Sequence, residues 1–106
     1  MEAYGSVDES NAALAMARAF CQKQEVVDWL CKLQKNNGLL MADLASQGAE
    51  PLLTMELVQG LERAIDAMEA GLPPLTHFLV PGDTRGGAML DMARTLVRRA
   101  ERRVLA

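Results

Sequence analysis

The stretch LPPLTHFLVPGDTRGGAMLDMARTLVRRAERRV, residues Leu72–Val104, decides how this chain is read. It joins a proline-rich connector to a segment dense in arginine. On an ideal helix each residue advances about 100°. From Met89 onward that advance gathers Met89, Met92, Ala93, Leu96, Val97, Ala100 and Val104 into one apolar stripe. Arg94, Arg98 and Glu101 fall beside the stripe, within roughly 60° of one another. Two guanidiniums and a carboxylate on one narrow face are suited to clamping a polyanion, because the planar arginine fork makes bidentate contacts with phosphate oxygens. Spacing alone also fits a solvated charged face with i,i+3 and i,i+4 pairs, whose basic end favours the helix dipole.

Working outward, the segment ahead of this helix reads as an extended connector. Leu72-Pro73-Pro74-Leu75 cannot be helical throughout, Phe78-Leu79-Val80 is short and apolar, and Pro81-Gly82-Asp83-Thr84 is a turn leading into the fourth helix. The third helix opens at Thr54, a cap with Glu56 in the first turn, and ends at Gly71. Its Leu57, Val58, Leu61, Ile65 and Met68 are expected to form a buried stripe. Residues 46–53 form a loop in which Gly48 can end the second helix and Pro51 cannot continue it.

That second helix is expected from about Glu25 to Ser46. Val26, Leu30, Leu33, Asn37, Leu40 and Leu44 follow the 3.5-residue spacing of a bundle seam. Asn36-Asn37-Gly38 would usually mark a turn, and it is read as an irregularity inside one long helix, with two shorter helices as the alternative. The first helix is placed after a short lead-in, with Ser6 as its N-cap, Glu9 completing a capping box, and an end near Lys23. Val7, Leu14, Ala17 and Cys21 make one of its stripes; Asp8, Asn11 and Ala15 share another.

Four helices with short connections and no convincing strand give an all-α chain, a four-helix bundle of one domain over residues 1–106. Aromatic residues make up only 4% of it while methionine and alanine are plentiful, which favours helices packed through aliphatic side chains. The small core and the wide apolar faces of the second and fourth helices lead to the expectation of an oligomer. A net charge of −3 argues against general nucleic-acid binding, so any anion site should be focal. Cys21 and Cys31 make neither a disulfide framework nor a zinc motif and read as reduced core thiols of a cytoplasmic protein. His77 has no second ligand in view, and no metal site is assigned to it. No apolar run approaches the roughly 18 residues of a membrane span, and the N-terminus lacks the design of a signal peptide.

The run LPPLTHFLVPG followed by AMLDMARTLVRRAER resembles the C-terminal core of the PduO-type ATP:cob(I)alamin adenosyltransferases. Those proteins carry a Phe-(Ile/Val)-Leu-Pro-Gly turn and an Ala-Arg-Thr-x-x-Arg-Arg-Ala-Glu-Arg helix. Gly5-Ser-Val-Asp8-Glu9-Ser-Asn11-Ala is similar to the family's Gly-x-Val-Asp-Glu-Leu-Asn-Ala segment. Leu33-Gln34 and Ala42-Asp43-Leu44-Ala45 resemble parts of its second helix. Leu53-Thr-Met-Glu56-Leu-Val-Gln-Gly-Leu61-Glu62-Arg-Ala-Ile65-Asp66 is similar to its Ile-Thr-x-Glu-x-Val-x-x-Leu-Glu-x-x-Ile-Asp.

The resemblance implies a helical bundle that assembles as a trimer, with a dimer as the alternative, and that binds ATP, Mg²⁺ and a corrinoid at subunit interfaces. The reaction it implies is attack of cob(I)alamin on the 5′ carbon of ATP with triphosphate leaving. By the same resemblance Arg98 steadies the phosphates, and Glu101 helps hold the nucleotide or its metal. Arg94 pairs with Asp8 of a neighbouring subunit, Phe78 presses on the lower corrin face, and Asn11 belongs to the ligand-binding set. Read without the family, Phe78 is plain core and Asp8 a first-turn helix carboxylate.

The chain departs from the family pattern in several places. The family's Thr-Gly-x-Gly-Asp-x-Gly-x-Thr phosphate loop and its further C-terminal helix do not occur in these 106 residues. Asp91 stands where the family has His, Asp83 replaces the second Gly of its Pro-Gly-Gly turn, and Asn37-Gly38 replace a Leu-Phe pair. These departures lead to the expectation of a short protein that keeps the bundle with impaired or altered chemistry, a gene fragment being the alternative. Three functions follow: an adenosyltransferase, a non-catalytic binder of a corrinoid or nucleotide, and a helical oligomerisation module.

Overall fold

A first helix that buries one face against two partners sets the architecture. The computed structural model describes residues 2–46 and 49–106. Four helices account for the regular structure: α1 (Glu2–Phe20), α2 (Gln24–Ala45), α3 (Met55–Ala70) and α4 (Arg85–Leu105). The all-α, four-helix reading therefore holds, with no strand among the described residues. The expected helix-ending Gly48 lies outside the described residues.

α1 lies between α2 and α4 and packs on both. Leu14, Ala17, Leu30 and Ala93 form the buried centre, ringed by Val26, Leu33, Met89 and Leu90. Three residues, 21–23, turn the chain from α1 into α2, and Arg18 Nη1 donates to Gln34 Oε1 at 3.0 Å across the pair. α2 runs unbroken through Asn36-Asn37-Gly38. The apolar repeat on either side outweighs the turn preference of those residues, as tertiary packing commonly overrides local propensity.

α4 meets α1 through its smallest side chains. Gly86, Ala93 and Ala100 recur every seven residues and are all buried. A methyl group on Gly86 would sit 3.1 Å from the Cα of Cys21, so the two backbones approach closely there. Ion pairs at 2.9 Å (Arg99–Glu9) and 3.0 Å (Arg103–Glu2) lie toward the other end and fix the two helices antiparallel. Thr84 caps α4, its Oγ accepting from the Gly87 N–H at 3.0 Å. Thr54 caps α3 as expected, accepting from the Leu57 N–H at 3.4 Å.

Four expectations are corrected. Ser6 is not an N-cap: α1 already includes Glu2, and Ser6 is buried within the helix. The apolar face continues through that turn, Glu2 is anchored by Arg103, and Gly5 is tolerated inside the helix. At its far end α1 stops at Phe20, short of Lys23, where the turn into α2 begins. The expected buried stripe of α3 is not buried: Val58, Ile65 and Met68 are exposed, and no residue of α3 is fully buried. Among the described residues α3 approaches no other helix closely, so its amphipathic pattern has a face without a cover. The α4 stripe is narrower than expected. Ala93 and Ala100 are buried, whereas Met92, Val97 and Val104 are exposed at its margins, because among the described residues α1 alone packs on this helix.

Candidate functional site

The arginines of α4 divide into two sets by what α1 offers them. Arg99 and Arg103 face α1 and pair with Glu9 and Glu2. Arg94, Arg98 and Arg102, spaced by four residues, lie on the outer face, where successive members step about 40° around the helix. Among the described residues neither Arg98 nor Arg102 has a carboxylate partner. Arg94 Nε donates to Asp91 Oδ1 at 3.1 Å. These side chains, with Thr95 and the edge of Arg99, line an open depression of about 280 Å³. The Thr95 hydroxyl donates to the Met92 carbonyl at 2.7 Å, which leaves the guanidiniums as the donors facing solvent. A row of cations on one exposed helical face can take an extended anion lengthwise.

Glu101 lies on the adjoining face. It borders a largely apolar cleft of about 330 Å³ between the helices, with Val7, Ser10, Asn37, Leu40 and Val97 among its walls. Arg98 and Glu101 thus occupy adjoining faces, and their side chains do not line a common hollow. Asn37, the polar residue in the α2 seam, finds its place at this cleft.

Phe78 is 83% exposed, in the connector ahead of α4, so the plain-core reading is overturned. It lines a shallow hollow of about 570 Å³ that reaches Gly87. Gly87 and Arg98 are eleven residues apart on α4, about 16 Å along the axis. One chain therefore does not bring Phe78 and the arginine row into a shared pocket.

Asp8 is exposed on α1, about 100° around the helix from the Glu9 that faces α4. It makes no ion pair among the described residues, and within the chain the partner of Arg94 is Asp91. Asn11 Oδ1 is the one buried side-chain oxygen or nitrogen among the described residues with no hydrogen-bond partner. Such an orphan costs about 1–3 kcal/mol, which marks Asn11 as a position wanting a donor. His77 Nδ1 lies 3.2 Å from the Thr76 hydroxyl. No group of three or more His, Cys, Asp and Glu side chains is placed to seat a metal among the described residues. Cys21 and Cys31 are free and half-buried. No described helix is long and apolar enough to cross a membrane.

The spacing singled out Arg94 and Arg98 and gave no role to Arg99 and Arg103, which hold α4 to α1. The signal was available: Glu2 and Glu9 are seven residues apart and so share a face of α1.

A family model described as cobalamin adenosyltransferase matches residues 1–106. The corrinoid adenosyltransferase PduO of Citrobacter freundii is 36% identical over 110 residues, which cover 99% of this chain and 33% of that protein. The corrinoid adenosyltransferase of Bacillus subtilis strain 168 is 37% identical over 112 residues, 100% of this chain and 58% of the relative. A further corrinoid adenosyltransferase from Citrobacter freundii is 39% identical over 111 residues, 100% of this chain and 63% of the relative. The chain thus spans between about a third and three fifths of the length of these relatives.

Proposed function

This chain belongs to the cobalamin adenosyltransferase family, and from that premise we propose that it serves transfer of the 5′-deoxyadenosyl group of ATP to cob(I)alamin. The observation that carries the reading is the outward row Arg94, Arg98 and Arg102, set apart from the arginines that hold α4 to α1. In the reaction a cobalt–carbon bond forms at C5′, the C5′–O bond breaks, and triphosphate leaves with the bonding electrons. Charge therefore develops on the triphosphate side, and preorganised guanidiniums placed there stabilise the leaving group. Arg98 is the central donor, with Arg94 and Arg102 on either side.

Glu101, on the adjoining face, would hold the nucleotide or the Mg²⁺ that travels with its phosphates. Mg²⁺ in such sites is held by one or two carboxylates together with substrate oxygens, which suits a lone glutamate better than a protein cage. Phe78 supplies an apolar surface for the lower face of the corrin. Because Phe78 and Arg98 sit far apart in one chain, the site is completed between chains of a homo-oligomer, a trimer with a dimer as the alternative. Asp8 of one subunit then meets Arg94 of the next, and Asn11 lies beside it. The protein acts in the cytoplasm.

The family's glycine- and threonine-rich phosphate loop does not occur in these 106 residues, and slow transfer by this stretch alone is part of the proposal. A non-catalytic corrinoid or nucleotide binder is the second reading, favoured by the openness of the arginine depression, which one helix supplies. An anaerobic assay with Mg-ATP and chemically reduced cobalamin tests both. Light-sensitive adenosylcobalamin, lost with Arg98→Ala, supports the transferase. A cobalamin spectrum perturbed by the wild type but not by Phe78→Ala, without product, selects the binder. No spectral change of either kind overturns both the transferase and the corrinoid binder.

A further inference from the structure

We propose that Asp91 is a built-in competing anion at the head of the α4 arginine row, and that it sets how tightly the row holds a polyphosphate. The proposal rests on the anion-binding reading of that row. Asp91 Oδ1 accepts from Arg94 Nε at 3.1 Å, in an i,i+3 pair along the same helix. Arginine presents two edges to a phosphate, one formed by Nε with an Nη and one by the two Nη atoms. With Nε engaged, Arg94 offers only the second edge.

Arg94 is the one member of the row held in this way. Arg98 and Arg102 have no carboxylate partner among the described residues, and Glu101 borders the neighbouring cleft. Within one chain Asp91 is therefore the acidic group placed on the row itself, the Asp8 proposed to meet Arg94 coming from the neighbouring subunit. It precedes Arg94 by about 4.5 Å along the helix axis and Arg98 by about 10.5 Å. A polyphosphate laid along the arginines brings its nearer phosphates within about one Debye length of that carboxylate at physiological salt.

Two features let Asp91 tune the row without closing it. Both side chains of the pair are well exposed, 57% for Arg94 and 38% for Asp91, so a multivalent anion can displace the carboxylate. The repulsion grows with ligand charge, so Asp91 opposes a triphosphate far more than a single phosphate. In a displacement that releases triphosphate, this repulsion speeds departure of the product from a cationic row.

The test titrates inorganic tripolyphosphate and orthophosphate into the wild-type chain, Asp91→Asn and Asp91→Ala by calorimetry, at low and high salt. Asp91→Asn keeps an acceptor for Arg94 Nε and removes only the charge; Asp91→Ala removes both. The proposal expects Asp91→Asn to tighten tripolyphosphate binding about threefold at low salt, with the gain shrinking at high salt and orthophosphate barely affected. Asp91→Ala should tighten it as well. Equal or weaker tripolyphosphate binding by Asp91→Asn overturns the proposal and leaves the anion site standing. Absence of tripolyphosphate binding in wild type and variants alike overturns the anion site itself. Thermal melts of the same samples establish that each variant is folded.

Discussion

Replacing Gly86 by alanine should destabilise the protein although alanine is the better helix former. Gly86 stands in the first turn of α4, where that helix crosses the end of α1. An added Cβ would lie 3.1 Å from both the Cα and the Sγ of Cys21, and 3.3 Å from the Phe20 carbonyl oxygen. Two of these three atoms belong to the backbone, so no change of rotamer relieves the crowding. The first turn of α4 must instead move away from α1 by a few tenths of an ångström, loosening contacts around Ala17 and Leu90. Overpacking of this kind costs typically about 1–3 kcal/mol. Against it stands the gain from replacing glycine in a helix, at most about 1 kcal/mol and smaller in the first turn.

The net expectation is a loss of about 1 kcal/mol, or a fall in Tm of roughly 4–8 °C for a domain near this size. Gly60→Ala in α3 is the control. There the nearest atom to the new methyl is Arg63 Nη2 at 4.0 Å, the far end of a flexible side chain. That substitution should raise Tm. Melting curves followed by circular dichroism compare the two. If Gly86→Ala raises Tm as much as Gly60→Ala does, the close approach of α1 and α4 is wrong.

Three further outcomes follow from the same geometry. Leu14→Ala, at a side chain only 6% exposed in the central helix, should cost about 2–5 kcal/mol in denaturant unfolding; a loss below about 1 kcal/mol would show that α1 is not the core element. A double-mutant cycle on Arg99 and Glu9, whose side chains are 44% and 48% exposed, should give a coupling of about 0.2–1 kcal/mol that fades in high salt, and a coupling indifferent to salt would contradict the ion pair. Phe78→Ala should leave Tm nearly unchanged, since surface substitutions usually fall within about 0.5 kcal/mol, while abolishing any perturbation of a cobalamin spectrum; a large fall in Tm would place Phe78 in a core after all.

The sequence made some elements plain and concealed others for reasons that are physical. Thr54 announced α3 because a capping hydroxyl is a local device, read from the residue and its neighbours alone. The continuity of α2 across Asn36-Asn37-Gly38 was legible because Leu33 and Leu40 keep the same seam on either side of the irregularity. Ser6 misled because serine before an acidic residue looks like a helix start, and only the burial of Ser6 and Val7 shows the helix already under way.

α3 misled differently. Its periodicity says which face could be buried, but what covers that face is a tertiary matter, and among the described residues no helix does. The site was legible in part. Arg94 and Arg98 were named from spacing, and both lie in the outward row. The roles of Arg99 and Arg103 depend on acids some 90 or more residues earlier, and the arrest of Arg94 by Asp91 depends on rotamers that spacing does not specify. Nothing in the sequence singles out Gly86, and only the packing shows that it is required to be small.

The central claim is that the outward arginines are ligand donors and the inward ones are structural. Mg-ATP titrated into wild type, Arg98→Ala and Arg103→Ala, with a melting curve for each, tests it most directly. Arg98→Ala should weaken ATP binding at least about tenfold, the loss of a charge-assisted contact worth 1.4 kcal/mol or more, with Tm unchanged. Arg103→Ala should retain ATP binding and lose a little stability. Equal ATP affinity in wild type and Arg98→Ala would contradict the account.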